Sequence, residues 1–99
     1  MPVALPCKTF KFSGHAVQRI FENRLNENDV LTAIGEARVI ARYPDDKPLP
    51  SLLLLGYCGA RAIHVVLGID ATGGNCVVVT TYLPDPLIWE DDFTRRRMN

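Results

Sequence analysis

Apolar side chains recur at helical spacing in two short stretches near the N-terminus. Ser13 is a typical N-cap residue, and it predicts a helix over about 14–24. The apolar residues of that stretch form one stripe: Ala16, Val17, Ile20 and Phe21. Asn26, with Asp29 three residues later, predicts the start of a second helix that ends near Gly35. Its inward-facing residues are expected to be Val30, Ala33 and Ile34.

The rest of the chain alternates between apolar and polar residues and is broken by turn residues. The alternation predicts four strands, over 38–43, 51–57, 62–70 and 76–82. The last three strands have short connections and should form an antiparallel meander. Residues 9–12 also alternate and are compatible with a short strand, and residues 87–97 with a last helical turn.

The fold class expected from this pattern is α+β. Two N-terminal helices should pack on a four-stranded, mainly antiparallel sheet, followed by a short C-terminal helix. The length of 99 residues suits a single domain over 1–99. Its ordered core should span about 9–93, and a basic tail should occupy 94–99.

Composition limits the class of protein further. The longest purely apolar run, 52–55, is too short to span a bilayer, so no membrane partner is expected. The N-terminus lacks the pattern of a signal peptide, and the cytoplasm is the expected location. The odd number of cysteines, Cys7, Cys58 and Cys76, argues against a disulfide framework and favours small buried apolar residues. A metal site formed by these cysteines and a histidine is the alternative.

Charge is balanced overall but unevenly distributed. The formal net charge is zero. Basic residues are concentrated near the N-terminus and at the end of the chain, and the phosphate-binding candidates among them are Arg19, Arg24, Arg95, Arg96 and Arg97. If the first helix and the C-terminal tail lie close in space, they form a basic patch suited to a phosphate backbone. The alternative is ordinary solvated surface charge.

Three side chains are candidates for proton transfer: His15, His64 and Tyr82. Histidine titrates near neutral pH and is the commonest general acid or base. His15 lies on the polar side of the first helix. His64 alternates with the apolar Ile63 and Val65, so it points to the opposite face of its strand. For both histidines the alternative is a hydrogen-bonded structural residue.

Tyrosine and tryptophan residues extend the list of candidate functional residues. Tyr43 and Tyr82 each end a strand, where a tyrosine can contact a phosphate, stack on a base or close the rim of a core. Trp89 follows two prolines and is expected to cover the core, whereas an exposed tryptophan there would indicate a partner surface. The chain contains no phosphate-binding glycine loop and no metalloprotease or nucleophile-elbow motif, so no cofactor and no metal are expected.

Several phrases, taken in order and spacing, resemble a known family. They are Phe12-Ser13-Gly14-His15-Ala16, Arg19, Arg24, Asp29-Val30, Tyr43-Pro44, His64-Val65-Val66, Thr80-Thr81-Tyr82, Pro84-Asp85, Trp89 and Asp92-Phe93 before an arginine run. This set, over about 9–97, is similar to the family called domain of unknown function 4258. The resemblance implies a helix–helix–sheet domain similar to the BrnT and RelE/ParE toxins, which are typically small RNases that act without metals. It also implies a cognate antitoxin-like protein as a partner.

Two functions follow as expectations. The first is a non-catalytic interaction module of toxin-like fold, which would bind a partner protein or a second copy of itself as a homodimer. RNA is a separate candidate partner of the chain. The interaction module predicts an exposed apolar patch near Trp89 and the 44–50 loop, and histidines buried among structural hydrogen bonds. The second is a metal-independent endoribonuclease toxin, in which His15, His64 and Tyr82 transfer protons and the arginines hold phosphate.

Overall fold

The computed structural model describes residues 5–98. The predictions for the first four residues and for the last residue of the basic tail therefore lie outside the described part. The elements in chain order are β1 (Thr9–Phe12), α1 (Gly14–Glu22), α2 (Glu27–Gly35), β2 (Arg38–Tyr43), β3 (Ser51–Cys58), β4 (Arg61–Asp70) and β5 (Asn75–Tyr82). Neither helix of this part is long and apolar enough to cross a membrane.

Both helices begin at the predicted N-caps. The Ser13 hydroxyl accepts a hydrogen bond from the Ala16 backbone N–H at 3.0 Å. Asn26 and Asp29 form a capping box, in which each side chain accepts from the backbone N–H of the other residue at 2.8 and 2.9 Å. α1 ends two residues earlier than predicted, because Arg24 has a left-handed backbone, with φ of 56°, that turns the chain toward α2.

The prediction of a four-stranded sheet is wrong, because β1 adds a fifth strand. The sheet order is β1-β5-β4-β3-β2, and β1 pairs parallel to β5 while all other neighbours are antiparallel. β1 is only four residues long, and its partner lies at the other end of the sequence. A pairing between segments so far apart leaves no mark in local alternation, so the pattern could indicate the strand but not its place in the sheet.

A disulfide joins Cys7 to Cys76, contrary to the expectation that all cysteines are free. The two residues are 69 positions apart, and the bond fastens the segment before β1 to the start of β5. It also excludes the alternative of a metal site that uses all three cysteine thiolates. Cys58 is the free thiol of the described part.

The predicted C-terminal helix is absent from residues 83–98. The segment instead doubles back on itself, so that Trp89 forms a β-bridge with Arg96. Two aspartates explain the difference, because their carboxylates accept bonds from the backbone N–H groups two residues later, Asp85 from Leu87 and Asp92 from Thr94. Such local bonds compete with helix formation. Phe93, with φ of 60°, completes the reversal.

The sheet has two differently covered faces. The helix face carries Ile63, Val65 and Leu67 of β4, and both helices pack their buried residues against it. The other face, called the outer face below, carries the alternate residues of β4: His64, Val66 and Gly68. The C-terminal segment covers part of the outer face, since Trp89 is buried against His64.

The buried stripe predicted for α1 is only half right. Ala16 and Ile20 are buried, but Val17 is exposed and the Phe21 side chain is 84% exposed. α1 packs on β5 through Ala16 and Ile20, whereas Val17 and Phe21 point to solvent. The surface of α1 therefore carries two adjacent apolar side chains. The three residues of α2 predicted to face inward, Val30, Ala33 and Ile34, are all buried.

α2 approaches β3 at a glycine. A methyl group added to Gly56 would lie 2.0 Å from the Ala33 carbonyl oxygen of α2. That oxygen belongs to the helix backbone and cannot move without moving the helix. Close packing of α2 on the sheet therefore requires glycine at this position.

We expect Gly56→Ala to lower the free energy of unfolding by about 1–3 kcal/mol or more, the usual range for overpacking. Gly35→Ala is the matched control, because a methyl group there meets no atom within 4 Å, and it should be neutral or slightly stabilising. Urea unfolding of both variants measures the difference. Equal stability of the two variants would contradict the packing described.

Candidate functional site

His64 is the most enclosed polar residue of the outer face. Its side chain has no exposed surface. Nε2 lies 2.8 Å from the Phe93 carbonyl oxygen, and Nδ1 lies 3.2 Å from the Tyr82 hydroxyl. A carbonyl can only accept, so Nε2 carries the proton and donates it. In the neutral ring Nδ1 then accepts from the Tyr82 hydroxyl, and both nitrogens are satisfied.

Two aromatic rings pack edge-on against the imidazole. The Trp89 ring centroid lies 4.4 Å from that of His64, and the Tyr82 centroid lies at 5.2 Å. Trp89 is 7% exposed, which confirms its predicted role as a cover of the core. The apolar patch predicted around Trp89 does not include the tryptophan itself, but the preceding Leu87 and Ile88 are exposed. We call Tyr82, His64, Trp89 and the Phe93 carbonyl the histidine clasp.

Burial sets the protonation of the clasp. Loss of water around His64 lowers its pKa, and the Phe93 carbonyl opposes this shift only in part. Burial likewise raises the pKa of the Tyr82 phenol, against a smaller opposite effect of the Arg96 charge. At neutral pH the imidazole therefore stays uncharged and the phenol keeps its proton. Both imidazole nitrogens are engaged in hydrogen bonds, one of them with the phenol.

The three arginines of the tail have different surroundings. Arg95 pairs with Glu90 at 3.5 Å, and Arg97 pairs with Asp91 at 3.0 Å. Within residues 5–98, Arg96 forms no ion pair, and its guanidinium lies over the Trp89 ring, 5.7 Å from the centroid. Its charge is close enough to affect Tyr82. Arg96 is thus the arginine of the run that is available to an anion at the outer face.

The structure brings together three of the predicted site residues, His64, Tyr82 and Arg96, and separates the others from them. His15, Arg19 and Arg24 are exposed on or just after α1, which packs against the helix face. Arg19 is paired with Glu22 at 3.0 Å. A single groove that contains both histidines is therefore not formed. Arg95 and Arg97 lie near the site, but each is bound to a carboxylate.

Sequence reasoning missed two parts of the site. The Phe93 carbonyl belongs to the backbone, and a backbone acceptor has no signature in residue type. Tyr43 is predicted as a strand-end tyrosine that can contact a phosphate, stack on a base or close the rim of a core. The sequence does not show that it lies on the outer face near Tyr82, where its influence adds to the rise of the Tyr82 pKa. Its position could have been found by following the alternation of its strand from an established outer-face neighbour.

The clasp should make stability depend on pH below 6.5. The pKa of His64 is lower in the folded protein than in the unfolded chain, so the unfolded chain binds more protons there. Stability should be fully present above pH 6.5 and decline as pH falls toward the folded pKa. Urea midpoints between pH 7.5 and 5 measure this. His64→Gln cannot titrate and should show a shallower decline, whereas equal slopes in both proteins would contradict the assignment.

Comparisons with known proteins add one finding. A family model described as "Domain of unknown function (DUF4258)" matches residues 12–83. No curated protein and no solved structure gives a significant match. The matched range begins at the last residue of β1, contains both helices and ends one residue after β5, so it includes His64 and Tyr82 but not Trp89 or Arg96. Because the match spans most of the sequence, the chain belongs to the family of domain of unknown function 4258.

Proposed function

We propose that this chain is a non-catalytic interaction module of toxin-like fold that binds RNA at the outer face of its sheet. The observation that carries the proposal is Arg96, which has no carboxylate partner within residues 5–98 and lies over Trp89 beside Tyr82. The site therefore offers a fixed cation beside a phenol. These are groups that hold a phosphate.

The position of Arg96 favours a role in binding a phosphodiester over the alternative that it is an ordinary solvated surface charge. Its β-bridge to Trp89 fixes the backbone, and contact with the indole ring restrains the side chain. A restrained guanidinium loses less freedom when it binds, and its planar set of donors matches phosphate oxygens. The paired Arg95 and Arg97 would first have to leave their carboxylates.

The clasp supports binding without catalysis. Metal-free RNA cleavage needs a base for the 2′-hydroxyl and an acid for the leaving oxygen. His64 is enclosed with both nitrogens bonded, and burial shifts the pKa values of His64 and Tyr82 away from neutrality in opposite directions. His64, held in structural hydrogen bonds, is what an interaction module predicts, whereas His15 is exposed.

Protein partners remain a prediction of the family resemblance. A cognate antitoxin-like protein would need apolar surface, and the exposed Phe21 and Val17 of α1 provide some on the side of the molecule away from the outer face. A homodimer and a cytoplasmic location likewise remain predictions.

Replacing Arg96 by alanine should weaken RNA binding about tenfold, since it removes the unpaired cation of the site. The slope of log affinity against log salt should also become shallower by about 0.7 for one lost phosphate contact. Fluorescence anisotropy with a labelled oligoribonucleotide measures both. Arg19→Ala removes the same charge from the helix side and is the control. Equal losses in the two variants would indicate non-specific attraction and contradict the site.

A second candidate function is metal-independent endoribonuclease, favoured by the hydrogen bond between the Tyr82 hydroxyl and His64 Nδ1. Tyr82 would take the proton of a 2′-hydroxyl while passing its own to Nδ1, and the imidazolium would keep its Nε2 bond to Phe93. The 2′-oxygen would bond to phosphorus, the bond to the 5′-oxygen would break, and that oxygen would take a proton from water. The cost of charging a buried imidazole opposes this path.

We expect the protein to leave single-stranded RNA intact in the presence of EDTA, because both imidazole nitrogens of the clasp are engaged in hydrogen bonds. Product analysis by gel electrophoresis and mass spectrometry measures this. Fragments with 2′,3′-cyclic phosphate ends would favour the endoribonuclease, provided that Tyr82→Phe abolishes them. The phenylalanine variant keeps the ring packing on His64 and removes only the hydroxyl.

A further inference from the structure

Tyr43 lies on the outer face, two rows of cross-strand neighbours away from His64 of the clasp. It pairs across the strands with Ser51, and Ser51 pairs with Gly68 of β4. Residues directly opposite in a sheet share a face, and Gly68 shares its face with His64 because the two are four residues apart. Tyr43 and Tyr82 therefore stand on the same face of the sheet, on β2 and β5.

The surface between these tyrosines is a floor of small and apolar side chains. One row of cross-strand neighbours forms it: Ala41, Leu53, Val66 and Thr80. Leu53 is buried, and the other three are partly accessible. β2 and β5 are separated by three strand spacings, on the order of 14 Å. Because Leu53 is only 5% exposed and Leu49 contacts the neighbouring Gly68, the accessible part of the floor is at Ala41, Val66 and Thr80.

The exposure of Tyr43 is not explained by packing. Its side chain is 41% exposed and lies outside the hydrophobic core cluster. Its backbone carbonyl has a structural role, because it accepts from the Asp46 N–H and closes the turn after β2. The exposed part of the ring is accessible to a new contact, and Tyr43 is one of the groups that raise the pKa of Tyr82, so the two phenols lie near one another.

We propose that Tyr43 is a base-stacking residue, so that the outer face accepts an unpaired nucleobase on Tyr43 together with a phosphate on Arg96 and selects single-stranded over double-stranded RNA. The inference rests on the proposed RNA binding and adds its substrate class. Bases are available for stacking on an aromatic ring only where they are not paired within a helix. Stacking on aromatic side chains is also tolerant of sequence, so no strong base preference is expected.

The test compares single-stranded hexa-uridine and hexa-adenosine with an RNA duplex of the same length, each carrying a fluorescent label. The unmodified protein should bind both single strands more tightly than the duplex. Tyr43→Ala should weaken single-strand binding about tenfold to hundredfold, the usual effect of losing one stacked base, and should leave duplex binding unchanged. Tyr43→Phe keeps a stacking ring and should bind as the unmodified protein does.

Tyr57 provides the matched control. It is 45% exposed, and its register opposite Ala62 places it on the outer face, beyond the clasp and away from Tyr43. Tyr57→Ala should therefore leave binding unchanged. Tyr43→Ala without effect, or equal binding of duplex and single strand, overturns the stacking role, while loss of binding in Arg96→Ala would still support the proposed function. Absence of binding by every RNA overturns both.

Discussion

The outer half of this molecule depends on the hydrogen bonds made by the buried imidazole of His64. A histidine without solvent contact is costly unless both ring nitrogens find partners. Tyr82 on β5 supplies one partner, and the Phe93 carbonyl of the C-terminal segment supplies the other. Because Phe93 provides a backbone atom, the bond fixes the path of the chain there. The indole of Trp89 then closes over the ring.

The clasp also explains why the arginines of the tail differ. Once Trp89 is seated on His64, its β-bridge partner Arg96 must lie above the indole and beside Tyr82. The flanking arginines, Arg95 and Arg97, point to carboxylates of the same segment. Structural and catalytic roles compete at this position, since the burial that holds the segment in place also keeps the imidazole neutral. The proposed binding site, supported by a structural histidine, is consistent with both observations.

The sequence predicted those parts of the fold that depend on neighbours along the chain. Ser13 and Asn26 mark the helix starts because capping is decided within one turn, and the strands on either side of the Gly73-Gly74 turn are separated by a short connection. The alternation around His64 correctly put it opposite Ile63 and Val65. The structure places the face of His64 away from the helices.

The features of the fold that could not be predicted depend on contacts between residues that are far apart in the sequence. The β1–β5 pairing and the disulfide beside it join the two ends of the domain, and local pattern carries no record of them. The C-terminal segment was misread as a helix because its reversal depends on Asp85 and Asp92, whose side-chain bonds outweigh helical spacing. The three arginines at 95–97 are equivalent in sequence, and only the fold gives them different partners.

The most direct measurement is the protonation state of the His64 ring, recorded by long-range ¹H–¹⁵N NMR at pH 7. A clasp of this geometry requires a neutral ring with its proton on Nε2, protected from exchange by the Phe93 carbonyl, and an unprotonated Nδ1 that accepts from Tyr82. Addition of single-stranded RNA should leave this pattern unchanged while signals of Arg96 shift. A charged imidazole, or a proton on Nδ1, would contradict the structural role of His64 and the proposed binding site that depends on it.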